Sequence, residues 1–146
     1  MIKTFRGTLD DNTVNKLRLS TKKGKIGYKI VKFQVIPEQP GVSDYENVVS
    51  INKVDFSPLL SIDLSDGNIL AVAYWASGTN PAYPQESSVI IFEQETFNQD
   101  IFIGSNGTSA SMVMNYYVEI ESFPLTDNAA AVSTLRDIRL NPQVGG

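Results

Sequence analysis

What most constrains this chain is a run of short apolar segments, each of strand length, separated by polar turn formers and not by helical repeats. The run is clearest between Ser88 and Phe123, which contains Ser88-Val-Ile-Ile-Phe-Glu93, Phe97-Asn-Gln-Asp-Ile-Phe-Ile103 and Met112-Val-Met-Asn-Tyr-Tyr-Val-Glu-Ile-Glu121. β-Branched and aromatic residues dominate all three, and Gly104-Ser-Asn-Gly107 supplies the break between the last two. In the third, Tyr116, Val118 and Ile120 fall on one face while Asn115, Tyr117, Glu119 and Glu121 fall on the other. That is the two-residue period of a half-buried strand, and its apolar face floors the core.

The same pattern extends upstream. Met1 to Thr8 alternates as a first strand with Ile2 and Phe5 inward, Asp10-Asp-Asn-Thr13 is a turn, and Val14 to Leu19 is a second strand. Ile26 to Ile36 follows, with Val31, Phe33 and Val35 on one face, and ends at Pro37, which has no N–H for a ladder bond. A polar, proline-bearing loop leads to Asn47–Val54, where Val49 and Ile51 point in, and then to Leu59–Leu64, with Leu60, Ile62 and Leu64 on one side. Asp66-Gly67 is a hairpin signal. Ile69–Ala76 is apolar on both faces, as a central strand or one whose outer face meets a partner would be.

After Pro124 the period changes. Ala131 or Val132, Leu135 and Ile138 form a helical stripe over 126–140, Thr126 or Asp127 is placed to cap it, Arg136 and Arg139 suit its carboxyl end, and Asn141-Pro142 stops it. About eight strands at ten-residue spacing with one C-terminal α-helix predict an all-β antiparallel β-sandwich, jelly-roll-like, as a single domain over 1–141 with a short tail at 142–146. A six- to eight-stranded barrel is the other architecture that fits.

Composition narrows the chemistry. The 146 residues include no cysteine and no histidine, which removes thiolate chemistry, the usual proton-transfer residue and the commonest transition-metal ligand. No cofactor or metal is expected. No apolar run approaches the roughly 20 residues that cross a bilayer, and the first residues lack a signal peptide's apolar centre, so a soluble, unprocessed start and no membrane partner are expected.

The net charge of −4 hides an asymmetry: residues 1–32 hold nine of the twelve cations against Asp10 and Asp11, a local +7, and the remainder carries −11. Internal pairing of the two halves, or plain solvation, is favoured over a protein surface. Nucleic acid is the least favoured partner, because the cationic cluster lacks interleaved aromatics.

Three constellations are candidates for chemistry. Glu119 and Glu121 share a strand face at roughly 7 Å, a spacing that glycoside cleavage uses, but paired acids on a wet face are usually only solvated. Asp63, Ser65, Asp66 and the carbonyl of Gly67 could offer oxygen ligands to a hard cation such as calcium, yet no glutamate closes an EF-hand pattern and a plain turn is favoured. Asp55 and Asp100 look isolated. The loop 77–87 carries Tyr83, with Tyr74 and Trp75 at its base; these three aromatics and the cationic turn at Lys22, Lys23 and Lys25 are the candidate interface.

Phe33-Gln-Val-Ile-Pro37, Asp44-Tyr-Glu-Asn-Val-Val-Ser50, Phe97–Ile103, Asn115–Glu121 and Thr134-Leu-Arg-Asp-Ile-Arg139 together resemble small proteins encoded by tailed phages of marine bacteria. The resemblance spans about Gly27 to Arg139 and contains no catalytic motif. It implies a virion structural protein, with a capsid-decorating or cement role on the capsid exterior. The partners implied are other copies of the chain, as a trimer or higher symmetric oligomer, and a major capsid or other virion protein. The alternative is a receptor- or glycan-binding module of a tail or fibre, in which Tyr74, Trp75 and Tyr83 would stack on sugars. An enzyme acting on host polysaccharide through Glu119 and Glu121 is the least favoured reading.

Overall fold

A computed structural model describes residues 1–21, 24–39, 45–58, 61–78, 86–108 and 112–126. Among these the chain is all-β, with eight strands: β1 (Ile2–Leu9), β2 (Thr13–Leu17), β3 (Ile26–Pro37), β4 (Tyr45–Asn52), β5 (Ile69–Ser77), β6 (Glu86–Ile91), β7 (Ile101–Gly107) and β8 (Met114–Pro124). All ladders are antiparallel, and they build a three-stranded sheet, β1-β8-β3, and a five-stranded sheet, β2-β7-β4-β5-β6. The helix expected over 126–140 lies outside the described residues apart from Thr126, as does the tail at 142–146.

One core joins the inner faces of both sheets. Leu9, Ile30, Phe33, Met114, Val118 and Ile120 come from the three-stranded sheet, and Val49, Ile51, Ala71, Ala73, Ile101 and Ile103 from the five-stranded one. Each of the larger of these side chains (Val, Leu, Ile, Met and Phe), taken fully out of water, contributes roughly 1.5–3 kcal/mol before the entropy of ordering it is subtracted. The alternation in β8 follows the sequence pattern, with Met114, Tyr116, Val118 and Ile120 buried. β5 is buried from Ile69 through Ala73, because β4 and β6 flank it and both of its faces are covered there.

Four expectations are corrected. In β3 the pairing with β8 shifts between Ile30 and Lys32, leaving Val31 as an extra, bulged residue. Ile30 and Phe33 therefore both point inward although three positions apart, and Val31 does not share their face as simple alternation required. In β1, Ile2 lies on the outer face and is 51% exposed; Phe5 and Leu9 face the core.

In β7, Gly104-Ser-Asn-Gly107 is strand and not turn. A Cβ at Gly104 would lie 2.7 Å from the Phe56 ring, and one at Gly107 would lie 2.7 Å from the carbonyl oxygen of Glu46, so these glycines permit close approach within a sheet. Finally, residues 61–64 form no strand. Asp63 Oδ1 accepts hydrogen bonds from the Ser65 N–H (3.0 Å) and hydroxyl (2.5 Å), a local turn that competes with a ladder and leaves Ile62 and Leu64 43% and 46% exposed.

Asp100, isolated in sequence, ties the end of β2 to the start of β7. Its Oδ1 accepts the backbone N–H groups of Leu19 and Ser20, each at 2.7 Å. Partial burial pushes the carboxyl up, but the amides of Ser20 and Leu19, the Ser20 hydroxyl and the Lys16 charge outweigh it and hold Asp100 below the usual range.

A carboxylate with a depressed folded-state value adds stability above its unfolded value, about 3.9, and loses it as pH falls through the folded one. Asp100→Asn should therefore cost about 1 kcal/mol at neutral pH, and the gap to the parent should close below about pH 4. Denaturant titrations of both proteins across that range check this; a gap that persists in acid would contradict it.

Candidate functional site

The two strands at the open side of the fold are β3, the edge of the three-stranded sheet, and β6, the edge of the five-stranded one. The start of the β3 edge is occupied: Tyr28 and Phe97 exchange two backbone hydrogen bonds of 2.8 and 3.0 Å. Beyond it, among the described residues, neither β3 nor β6 has a further ladder neighbour.

Because three strands stand against five, the inner face of β6 overhangs the core. Val89 is opposite Ala73 and so shares the core-facing side, yet it is 41% exposed. Ile90, on the other face, is 43% exposed. A groove of about 420 Å³ runs between the inner side of β6, at Ser87 and Val89, and the edge of β3, where Val35 and Tyr116 line it from the inner face and Gln34, Ile36, Asn115 and Tyr117 from the outer. A second, of about 450 Å³, runs along the outer side between Ile62, Leu64, Val72, Tyr74 and Ile90. An edge strand that is apolar on both faces and carries no lysine is an association surface unless it is covered.

Of the residues expected at an interface, the described Tyr74 and Trp75 do not share a face. Tyr74 and Trp75 are adjacent on β5 and so point to opposite faces. Tyr74 lies with Val48, Ile69 and Val72 on the outer face, where burial and then the carboxylate of Glu46 push its hydroxyl above the usual range. Trp75 packs against the main core, its indole Nε1 buried. The two rings therefore form no single platform for a sugar. Lys25 is exposed at the start of β3, and its carbonyl accepts the Leu125 N–H at 2.7 Å. Lys22, Lys23 and Tyr83 lie outside the described residues.

Glu119 and Glu121 sit on the outer face of the three-stranded sheet and are drawn to different partners. The Tyr117 hydroxyl donates to Glu119 Oε1 at 2.7 Å, which pushes the tyrosine up, while Glu121 lies 3.5 Å from Lys29 Nζ. Lys32 is opposite Glu119 in register, with its ammonium 5.9 Å from the centre of the Tyr117 ring. The Lys29–Glu121 pair thus joins β3 of the basic amino-terminal half to the acidic β8. Such exposed pairs contribute only about 0–1 kcal/mol each.

At the 63–68 turn, Asp63 is held by Ser65, whose hydroxyl and then amide lower its carboxyl, and Asp66 Oδ1 accepts the Asn68 N–H at 2.9 Å. Among the described residues no group of three or more acidic side chains converges to hold a metal ion, and no helix is long and apolar enough to cross a membrane.

Sequence reasoning points to the aromatic loop and misses the β6 edge. The available signal is Val89-Ile-Ile91, apolar on both faces directly after two serines, although nothing local marks it as an edge. Comparison with known proteins adds no constraint on what this surface meets: no protein-family model matches the chain, and neither does any curated protein.

Proposed function

We propose that this chain is a non-enzymatic structural protein of a virion, a capsid-decorating or cement protein that self-associates and docks on the outside of the shell. The observation that carries the reading is the β6 edge, with apolar side chains uncovered on both of its faces and a groove along each. A protein that acts alone gains nothing from such an edge and risks aggregation; one that works by repeated subunit contacts needs it.

The strand order supports reading the two sheets as a sandwich of the jelly-roll kind. β1-β8-β3 and β2-β7-β4-β5 are the sets that two interleaved Greek keys place on opposite sheets, and here β6 is carried beside β5 instead of beside β3. The likeness of Phe33–Pro37, Asn115–Glu121 and the other quoted segments to phage proteins supports the virion setting. The carboxylates of Glu119 and Glu121, engaged by Tyr117 and Lys29 on an open sheet face, support a role without turnover.

The test is quantitative mass spectrometry of purified particles of a phage that encodes this chain. Copies comparable in number to the major capsid protein are expected. A few copies per particle would move the chain to the tail, and its absence from particles would overturn the virion reading.

A further inference from the structure

We propose that β3 and β6 form a twofold contact with a second copy of this chain, in which each copy's β6 becomes the fourth strand of the other's three-stranded sheet. The inference rests on the self-association read above and names the surface and the partner. Two facts from the fold lead to it. Among the described residues the three-stranded sheet has no strand beside β3 beyond its Tyr28–Phe97 bridge, opposite the overhanging β6, so there is room for one strand over the inner face of Val89. The edge that would fill it in a second molecule is β6, whose own outward edge has no described neighbour.

A twofold axis through the inner groove satisfies both needs at once. It lays β6 of one copy along the free part of β3 in the other, and by symmetry the reverse. The product is two continuous eight-stranded sheets, each ordered β1-β8-β3 in one copy followed by β6-β5-β4-β7-β2 of its partner. The two β6 strands then stack face to face across the core, at the roughly 10 Å spacing of packed sheets, with Val89 against its symmetry mate. Ile36, 51% exposed at the end of β3, gains a neighbouring strand on its open side.

Charge supports this pairing over the contact of like edges. The β3 edge carries the exposed Lys32, and β6 begins at the exposed Glu86, both on outward-facing positions. Placing β3 against β6 brings opposite signs together, whereas pairing β3 with β3 would bring cations together. The contact is isologous and closes on itself, so a larger assembly would be built from dimers.

The test uses the purified full chain alone, by sedimentation velocity and light scattering from micromolar to millimolar concentration. The mass of a dimer is expected. Val89→Lys, at a position already open to solvent, should give a monomer with an unchanged far-ultraviolet spectrum and melting curve. Lys32→Glu should weaken the dimer by about tenfold, the order of one interfacial ion pair, and adding Glu86→Lys should recover most of that loss. A wild-type monomer or trimer, or a Val89→Lys protein that stays dimeric, overturns the inference; if Val89→Lys misfolds, the Lys32 and Glu86 series decides alone. Because no particle is involved, a dimer in solution stands even if the chain is absent from virions, and a monomer in solution leaves the particle count to be read separately.

Discussion

Deleting Glu119 from β8 is expected to leave no folded protein, while deleting Val31 from β3 leaves the fold and its core in place. β8 is the middle strand of its sheet, paired in unbroken register with β1 across Ile2–Leu9 and, with one shift at Val31, with β3 on its other side. With Glu119 removed, one half of the strand must slip by a residue, and a one-residue slip turns every side chain in that half to the opposite face. If the carboxyl half slips, Ile120 leaves the core and Glu121 enters it opposite Ile30. If the amino half slips, Met114, Tyr116 and Val118 go out and Asn115 and Tyr117 come in. Either way fully buried aliphatic residues are exposed and polar groups are buried without partners, at a cost above about 5 kcal/mol. That matches the whole stability of an ordinary domain, about 5–15 kcal/mol.

At Val31 the count runs the other way. Ile30 is opposite Ile120 and Lys32 is opposite Glu119, which are already consecutive on β8, so removing the bulged residue closes the ladder with inward and outward positions unchanged. A loss of no more than about 2 kcal/mol is expected, from the altered twist and the lost packing of a half-buried valine. Soluble yield and cooperative thermal melts of the two deletion proteins check both halves. A cooperative melt from the Glu119 deletion, or none from the Val31 deletion, would refute the registers assigned to this sheet.

The same bulge explains which parts of the fold are legible from sequence. β8 is readable because its own alternation is continuous from Met114 to Ile120, with the bulge carried by its neighbour β3. β3 invites a misreading: Val31, Phe33 and Val35 alternate well enough to suggest one apolar face, and the extra residue that sets Ile30 and Phe33 on the same side leaves no local mark. Glycine is ambiguous in the same way, since Gly104 and Gly107 serve a turn or a crowded strand equally well until the neighbours are known.

The opposite faces of Tyr74 and Trp75 follow from the period of a strand and were open to sequence reasoning. The exposure of Val89 and Ile90 was not, because an edge is defined by what fails to pair with it. A central strand and an uncovered one can carry the same kind of run, as Ile69–Ala73 of β5 and Val89-Ile-Ile91 of β6 show.

Gly104→Ala is expected to cost about 2–3 kcal/mol, and most of that cost should vanish when Phe56 is shortened in the same protein. Gly104 lies in β7 between Val14 of β2 and Ser50 of β4, on the outer side of the five-stranded sheet. The segment that follows β4 crosses it there. The Phe56 ring lies over Gly104, and the Pro58 carbonyl oxygen accepts the Asn106 side-chain N–H at 2.8 Å. A methyl at 104 would come within 2.7 Å of the ring and 2.9 Å of a Val14 methyl, so the ring, and with it the crossing segment, must lift. In a Phe56→Ala background the ring contact is gone, a Val14 methyl at 2.9 Å remains, and the added methyl should cost under about 1 kcal/mol, a coupling of the size that contacting residues show. Urea titrations of the four proteins in the cycle measure it, and strictly additive costs would mean that Phe56 does not rest on β7. This crossing segment also shields the β7 side of the outer face with Phe56 and Pro58 while leaving Ile62 and Leu64 open next to Ile90. Among the described residues the exposed apolar side chains of this outer face, Ile62, Leu64 and Ile90, thereby gather at the β6 end of the sheet.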